Sequence, residues 1–261
     1  MDNNNSALKL GLVTYNLAKD WDIGAIIDRC TETGFEGVEL RTTHAHGVEV
    51  SLSASQRSEV KRRFAGSDVE LASLGSAFEY HATDRSELER NIEGTKRYAE
   101  LAADVGASGI KVRPNGLQSE VGVPVERTLE QIGVSLRGCA ESAAASGIRI
   151  RLEVHGPETS KVPLVRKIID YADSPNLYVC WNSNQTDLND GGLEHNFDLV
   201  RDRIDFVHMR DLCLKEYPWR QMLTLLTESG FEGFCCAEIP ESSDPVRVMH
   251  YYRALFDAFR L

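Results

Sequence analysis

The stretch IRIRLEVH, from Ile148 to His155, alternates apolar and polar residues with a period of two. Such alternation is typical of a β-strand, because successive side chains point to opposite faces. One set suits a layer packed against helices: Ile148, Ile150, Leu152 and Val154. The other set then faces the interior that the strand helps to enclose: Arg149, Arg151, Glu153 and His155. Four polar groups on one inner face are too many for an inert core, since buried charges survive only when they are paired or bind an ion.

Runs of this kind alternate along the chain with longer segments of helical periodicity. Eight strands are predicted, at 8–15, 37–41, 69–76, 109–113, 148–155, 177–182, 205–210 and 234–239. Eight helices are predicted near 22–33, 53–66, 85–105, 124–146, 159–172, 195–202, 217–229 and 244–259. Glycine follows several of the helices, as in TGFEG at 33–37, where a left-handed residue commonly ends a helix.

Eight strand–helix units predict an α/β fold, a single (β/α)8 TIM barrel domain over residues 1–261. An open doubly wound sheet would more often show fewer units and a glycine-rich phosphate loop after its first strand. Here the first strand runs into NLAKDWD, at 16–22, which has no such loop. No linker or block of like charge divides the chain.

Composition narrows the function classes. With 40 acidic and 29 basic residues the formal net charge is −11, which disfavours non-specific binding to nucleic acid or to an anionic membrane. The start, MDNNNSALKL, lacks the basic and apolar regions of a signal peptide, and no stretch reaches the roughly 18 apolar residues of a membrane span. We therefore expect a cytoplasmic protein. The six cysteines are scattered without a CxxC pattern, which favours reduced, mostly buried thiols.

Polar side chains are predicted to meet at one end of the barrel. The alternation turns further charged residues inward: Glu39, Arg41, Lys111, Arg113, His208, Arg210 and Glu238. Five histidines fall at or just beyond strand ends: His44, His46, His81, His155 and His208. Because barrel active sites lie at the C-terminal ends of the strands, we expect these groups to converge on one rim. The alternative is a set of inward salt bridges that only hold the barrel together, above all for Arg149 and Arg151, which lie early in their strand.

Five short motifs follow one another in a characteristic order: GFEGVELR, LGSAFEYH, LEVHG, FVHMRD and AEIPE. With them the chain resembles the xylose isomerase-like barrel superfamily, the sugar isomerases, epimerases and dehydratases related to D-tagatose 3-epimerase, from about residue 8 to 260. In such epimerases a divalent metal is held by a Glu, an Asp, a His and a Glu on strands five to eight. The resemblance therefore implies the metal ligands Glu153, Asn182, His208 and Glu238, with Mn²⁺ as the favoured ion and Mg²⁺ or Co²⁺ as alternatives.

The sixth strand departs from that pattern. Asn182 stands where the family usually has Asp, and Gln185 stands where a His usually follows. An amide oxygen is a ligand for hard cations, but it is neutral and holds the ion more weakly than a carboxylate does. In the alternative interpretation, NSNQTD at 182–187 is a polar turn in which Asn182 caps a strand or loop.

The resemblance implies a sugar isomerase or epimerase that acts on a keto sugar or derivative by proton transfer through an enediolate. Glu153 and Glu238 would be its catalytic acid–base groups. The predicted substrate-binding residues are His155, Gln185, Lys111, Arg113, Asn115, Arg210, His81 and His46. The expected partner is a small-molecule sugar or sugar derivative, and the resemblance leaves a homo-oligomer open.

Two other functions stay open. A lyase or dehydratase acting on an oxidised sugar would begin with the same enediolate and then expel a leaving group. A non-catalytic sugar-binding or partner subunit would have lost the ligand set, as Asn182 and Gln185 suggest. Six inward cations against three inward carboxylates favour an anionic substrate, unless those cations are paired within the barrel.

Overall fold

The computed structural model describes residues 8–260, and its eight parallel strands close into one barrel in which each pairs with the next and the last with the first. The strands are β1 (Lys9–Val13), β2 (Gly37–Arg41), β3 (Glu70–Glu79), β4 (Gly109–Arg113), β5 (Arg149–Glu153), β6 (Leu177–Trp181), β7 (Ile204–Met209) and β8 (Phe234–Ala237). The helices are α1 (Ile23–Thr33), α2 (Ala54–Ala65), α3 (Arg85–Val105), α4 (Val125–Ala144), α5 (Val162–Ala172), α6 (Gly192–Val200), α7 (Trp219–Glu228) and α8 (Pro245–Phe259).

The predicted (β/α)8 barrel is confirmed. The single domain over 1–261 stays a prediction, because residues 1–7 and 261, including most of MDNNNSALKL, lie outside the described residues. Helix ends follow the expected chemistry. The Asp22 side chain accepts a hydrogen bond from the backbone N–H of Ala25 at the start of α1, and Gly34, with a φ of 75°, ends that helix.

One strand differs from its prediction in a way that matters for the rim. The third strand was expected to end at residue 76, but β3 continues to Glu79. The pairing with β4 is irregular between Gly75 and Glu79, and Glu79 then pairs in register with Arg113. The extension therefore carries an acidic side chain to the C-terminal end of the barrel.

The N-terminal end of the barrel is closed by ion pairs. Arg149 and Arg151 both bind the Asp205 carboxylate, with 2.6 Å between Arg151 Nε and Asp205 Oδ2. Arg151 also donates to the Ala72 carbonyl and to the Ser108 hydroxyl, at 2.8 and 2.9 Å. These two arginines therefore form inward salt bridges that hold the barrel together, which was the alternative stated for them from the sequence.

Two expectations drawn from the composition concern membrane-spanning helices and cysteines. Within residues 8–260 no helix is long and apolar enough to cross a membrane. All six cysteines lie within these residues and are free, and five of them are buried, as predicted.

Candidate active site

Three predicted metal ligands meet at the C-terminal ends of their strands. Glu153 is the last residue of β5, His208 lies near the end of β7 and Glu238 directly follows β8. One ligand atom from each lies within 4.8 Å of the others. His208 Nδ1 is 3.3 Å from Glu153 Oε1 and 3.8 Å from Glu238 Oε2. The closed barrel thus gathers two carboxylates around one imidazole nitrogen.

These side chains fit a divalent ion. Nitrogen and oxygen ligands lie about 2.0–2.2 Å from an ion such as Zn²⁺, so two ligand atoms on one ion are about 3–4.4 Å apart. Both separations from His208 Nδ1 fall in that range. The other ring nitrogen, Nε2, is 3.2 Å from Oε1 of Glu39, whose side chain is wholly buried. Apart from this contact, neither His208 Nε2 nor the Glu39 oxygens have a hydrogen-bond partner in the described part of the chain. A carboxylate behind the ring is the usual way to orient a ligating histidine.

Each of the two candidate catalytic carboxylates has one oxygen beside a cation and the other beside His208. Glu153 Oε2 is 2.9 Å from Lys111 Nζ, and Glu238 Oε1 is 3.5 Å from Arg41 Nη1. The remaining oxygens, Glu153 Oε1 and Glu238 Oε2, both face His208 Nδ1. Arg41 of β2 thus pairs with Glu238 at the end of β8, because barrel closure brings these two residues together.

The two carboxyl groups have opposite electrostatic tendencies before any ion binds. Burial raises the pKa of Glu153, but the positive charges of Lys111 and His208 outweigh burial and hold that pKa well below its usual value. Burial raises the pKa of Glu238 above its usual value, with His208 opposing the shift and Glu153 reinforcing it. Glu153 is thus ionised and available to accept a proton, whereas Glu238 keeps its proton to a higher pH.

A second group, which we call the rim cluster, consists of Glu79, Arg113, Asn115 and His155. Glu79 Oε1 accepts hydrogen bonds from Arg113 Nη2 at 2.5 Å and from Asn115 Nδ2 at 2.7 Å. Asn115 Oδ1 lies 2.8 Å from His155 Nδ1. His81 is close by, with its Nδ1 4.0 Å from Glu79 Oε2. Four predicted substrate-binding residues thus lie together around one acid.

Sequence reasoning missed Glu79. Its neighbours in β3 that share its parity, Ser73 and Gly75, pair with Glu39 and Arg41 of β2. Continuing that alternation beyond residue 76 would have placed Glu79 on the same inward face. The predicted strand was too short to show this.

Two of the three polar residues directly after β6 bind backbone carbonyls of the neighbouring strands. The Ser183 hydroxyl donates to the His208 carbonyl at 2.8 Å, and Asn184 Nδ2 donates to the Val154 carbonyl at 2.6 Å. These two residues therefore tie the ends of neighbouring strands together. Asn182 directly follows β6, is partly buried, and makes no side-chain hydrogen bond within residues 8–260. Its amide is free to bind an ion or a substrate.

The other three predicted substrate-binding side chains form hydrogen bonds with backbone groups. Gln185 is exposed, and its amide donates to a carbonyl in the loop before α7 at 3.3 Å. Arg210 donates to a carbonyl after β6 at 2.9 Å. Both ring nitrogens of His46 are used, since one lies 2.7 Å from the Arg41 carbonyl and the other accepts from the Val48 N–H at 3.1 Å. His46 thus holds the loop after β2.

The positive charge predicted for the interior is largely neutralised. Five of the six inward cations have an acidic partner within 4 Å: Arg41, Lys111, Arg113, Arg149 and Arg151. The count from the sequence omitted two of the acids involved, Glu79 and Asp205. Arg210 has no acidic partner at that distance among the described residues.

The chain is similar to several proteins of known structure or function. The crystal structure of 3-keto-D-glucoside 4-epimerase YcjR from E. coli superposes with a TM-score of 0.79 at 17% identity, covering 96% of this chain and 99% of that one. The IolI protein with a bound zinc atom gives a TM-score of 0.76 at 14% identity, covering 96% of each chain. At these identities the likeness concerns the fold.

One curated relative is similar in sequence. The 3-dehydroshikimate dehydratase of Pseudomonas aeruginosa is 26% identical over 212 residues, which cover 79% of this chain. The chain spans only 32% of that protein's length.

The sequence resemblance rested on short motifs such as GFEGVELR, LEVHG and AEIPE. The closed barrel and the carboxylates at its C-terminal end agree with that resemblance. The sequence model of that family matches residues 27–257. The chain belongs to the xylose isomerase-like TIM barrel family.

Proposed function

We propose that this chain is a divalent-metal-dependent isomerase or epimerase that moves a proton on the carbon next to the carbonyl of a keto sugar or derivative. The observation that carries the proposal is the convergence of Glu153, His208 and Glu238 within 4.8 Å at the active end of the barrel. The Asn182 amide, free of other side-chain bonds, would be the fourth ligand. Mn²⁺ is the first ion to test, and Mg²⁺ and Co²⁺ follow.

Each side chain of the site has its own role in this reaction. A divalent ion, when bound, polarises the substrate carbonyl and so acidifies the neighbouring C–H group. Glu153, kept ionised by Lys111, takes the proton, and the carbon then carries enediolate character. Glu238, which also faces His208 Nδ1, returns a proton to the carbon or to the oxygen. Lys111 and Arg41 each hold the second oxygen of one carboxylate, so that the first oxygen keeps its direction.

A second candidate is a dehydratase acting on an oxidised ring. The sequence similarity to 3-dehydroshikimate dehydratase favours it. His155, two residues beyond Glu153 at the rim, is a further group for proton transfer with the substrate hydroxyls. Both reactions begin with removal of the same kind of proton, so only the products separate them.

The test is incubation of the Mn²⁺-loaded protein in D₂O with a panel of ketoses, 3-keto-glycosides and 3-dehydroshikimate, followed by NMR and mass spectrometry. An isomer or epimer carrying solvent deuterium supports the first reaction. A product that has lost water, with new ultraviolet absorption from the conjugated ring, supports the second. Glu153→Gln is the control, since it keeps the size of the side chain and removes the base. Binding of a sugar without turnover or exchange would overturn both and favour the non-catalytic subunit.

A further inference from the structure

We propose that Glu79 is a positioning residue that fixes the tautomer of His155 through the side-chain amide of Asn115. The inference deepens the proposed function and rests on it, because it gives His155 a defined part in proton transfer at the same site. The three residues form a chain of two hydrogen bonds along the rim, from β3 across the end of β4 to the end of β5.

The first link fixes the direction of the amide. A carboxylate is only an acceptor, and Glu79 Oε1 lies 2.7 Å from the terminal amide of Asn115. The Asn115 amide must therefore turn its NH₂ group toward Glu79. Which end of an amide is nitrogen is a matter of assignment, but here the chemistry of the partner decides it.

The second link fixes the imidazole. With the Asn115 NH₂ turned to Glu79, its carbonyl oxygen faces His155 Nδ1 at 2.8 Å. A carbonyl oxygen is also only an acceptor, so Nδ1 must carry the hydrogen. In the neutral ring the lone pair then lies on Nε2, which makes no hydrogen bond within residues 8–260. The free nitrogen is thus the one able to take a proton from a substrate hydroxyl or to accept its hydrogen bond.

The backbone near Asn115 and His155 has a conformation that lets these two side chains make contact. Asn115 has a φ of 58°, in the left-handed region that costs a non-glycine residue energy. Gly156, directly after His155, has a φ of 92°, and a Cβ there would lie 2.6 Å from Asn115 Cα. The loops after β4 and β5 therefore approach this closely only because residue 156 has no side chain.

Arg113 stabilises the carboxylate of Glu79, the first residue in this series of hydrogen bonds. Its Nη2 donates to the same Glu79 oxygen at 2.5 Å and compensates the carboxylate charge. Two donors on one oxygen mean that Glu79→Gln would also turn its oxygen toward Arg113 and Asn115. Glu79→Met, in contrast, removes the acceptor and frees the Asn115 amide to rotate. A rotated amide would present NH₂ to His155, and the hydrogen of the ring would then move to Nε2.

The experiment is long-range ¹H–¹⁵N NMR of protein labelled with ¹⁵N-histidine, metal-free and with Mg²⁺, at about pH 8, above the usual histidine pKa. The His155 signals are assigned by their loss in His155→Gln. We expect the Nδ1–H form in wild type and in Glu79→Gln, and a mixture or the Nε2–H form in Glu79→Met. Glu241→Met, which removes another rim acid paired with Lys19, is the matched control and should change nothing.

A kinetic arm follows on any substrate that the wild-type protein converts. Glu79→Met should lower kcat by about tenfold to a hundredfold with little change in KM, since one positioned acid–base group contributes a factor of about 10²–10⁴ to the rate. Glu79→Gln should keep most of the wild-type kcat.

An Nε2–H ring in wild type, or an unchanged Nδ1–H ring in Glu79→Met, would overturn the inference. Glu79→Ala gives a second truncation in case Met fails to pack. Because the tautomer is read without substrate, failure of the proposed reaction alone would leave the NMR result intact, and the two failures are distinguishable.

Discussion

Replacing Asp187 by Asn is expected to change how folding stability depends on pH. Asp187 lies in a short 3-10 helix, Gln185–Leu188, immediately after the amides that follow β6, and it is fully buried. Its Oδ2 accepts a hydrogen bond from the Tyr217 hydroxyl at 2.8 Å, and that hydroxyl accepts one from Trp181 Nε1 at 2.9 Å. Its Oδ1 is buried without a hydrogen bond. One solvent-free carboxyl group thus anchors the segment that carries Asn182.

The size of the effect follows from the burial. Burial raises the pKa of Asp187 from 3.8 to about 7, although Tyr217 opposes the shift. The folded state therefore holds the proton more tightly than the unfolded state. This contribution to stability is fully present below about pH 4 and is lost as the pH rises through about 7. At about 1.36 kcal/mol per pKa unit, a shift of about three units corresponds to about 4 kcal/mol.

The assay is urea unfolding of wild type and Asp187→Asn at a series of pH values from about 4 to 8, the range set by the two pKa values. The free energy of unfolding of the variant, relative to wild type, should rise by about 4 kcal/mol over that range, because Asn cannot ionise. Asp190→Asn, at an exposed aspartate of the same loop, controls for loss of a charge. A difference between Asp187→Asn and wild type that stays constant with pH would refute the reasoning.

Three further predictions concern the site and its support. Glu238→Gln should lower turnover by about a hundredfold or more in steady-state assays with an unchanged circular dichroism spectrum, and turnover near the wild-type level would exclude an acid–base role. Lys111→Met should lower the free energy of unfolding of the metal-free protein by about 3 kcal/mol, because it removes the nearer of the two cations beside the buried Glu153 charge. Adding Glu153→Gln should recover most of that loss in urea unfolding, and an equal loss in the double variant would contradict the pairing. Gly156→Ala should destabilise by about 1–3 kcal/mol in thermal unfolding, because its left-handed φ and the nearby loop both oppose a Cβ. Gly47→Ala, at a φ of 68° with no neighbour within 4 Å, measures the backbone part alone and should cost less.

The barrel was predictable because its signals are local and repeated. Each strand–helix unit carries its own periodicity, and glycines such as Gly34 and Gly106 end helices directly before the next strand. Alternation along β5 also predicted that Glu153 and His155 share a side of the strand. These features depend on neighbouring residues in the chain, which a single sequence contains.

The pairing of side chains across the barrel was not predictable in the same way. Glu39 was expected to face inward, but its contact with His208 joins β2 to β7, which are not adjacent strands. The contact of Arg41 with Glu238 likewise depends on how the barrel closes. Alternation along β3 indicates the inward side of Glu79, but its pairing with Arg113 depends on the irregular register between β3 and β4, which no pattern in the sequence indicates.

The central claim is that Glu153, His208, Glu238 and Asn182 hold one divalent ion, and the most direct test is calorimetric titration of the chelated protein with Mn²⁺. Wild type should bind about one equivalent, and at an ion concentration of about 100 times Kd the native state should gain about 2.7 kcal/mol, roughly 5–10 °C in Tm. Asn182→Asp should bind more tightly, because it adds a carboxylate, and Asn182→Ala more weakly. Glu241→Gln, at the same rim but outside the ligand set, should bind like wild type. Absence of binding by wild type, or affinities that do not change with residue 182, would contradict this ligand set.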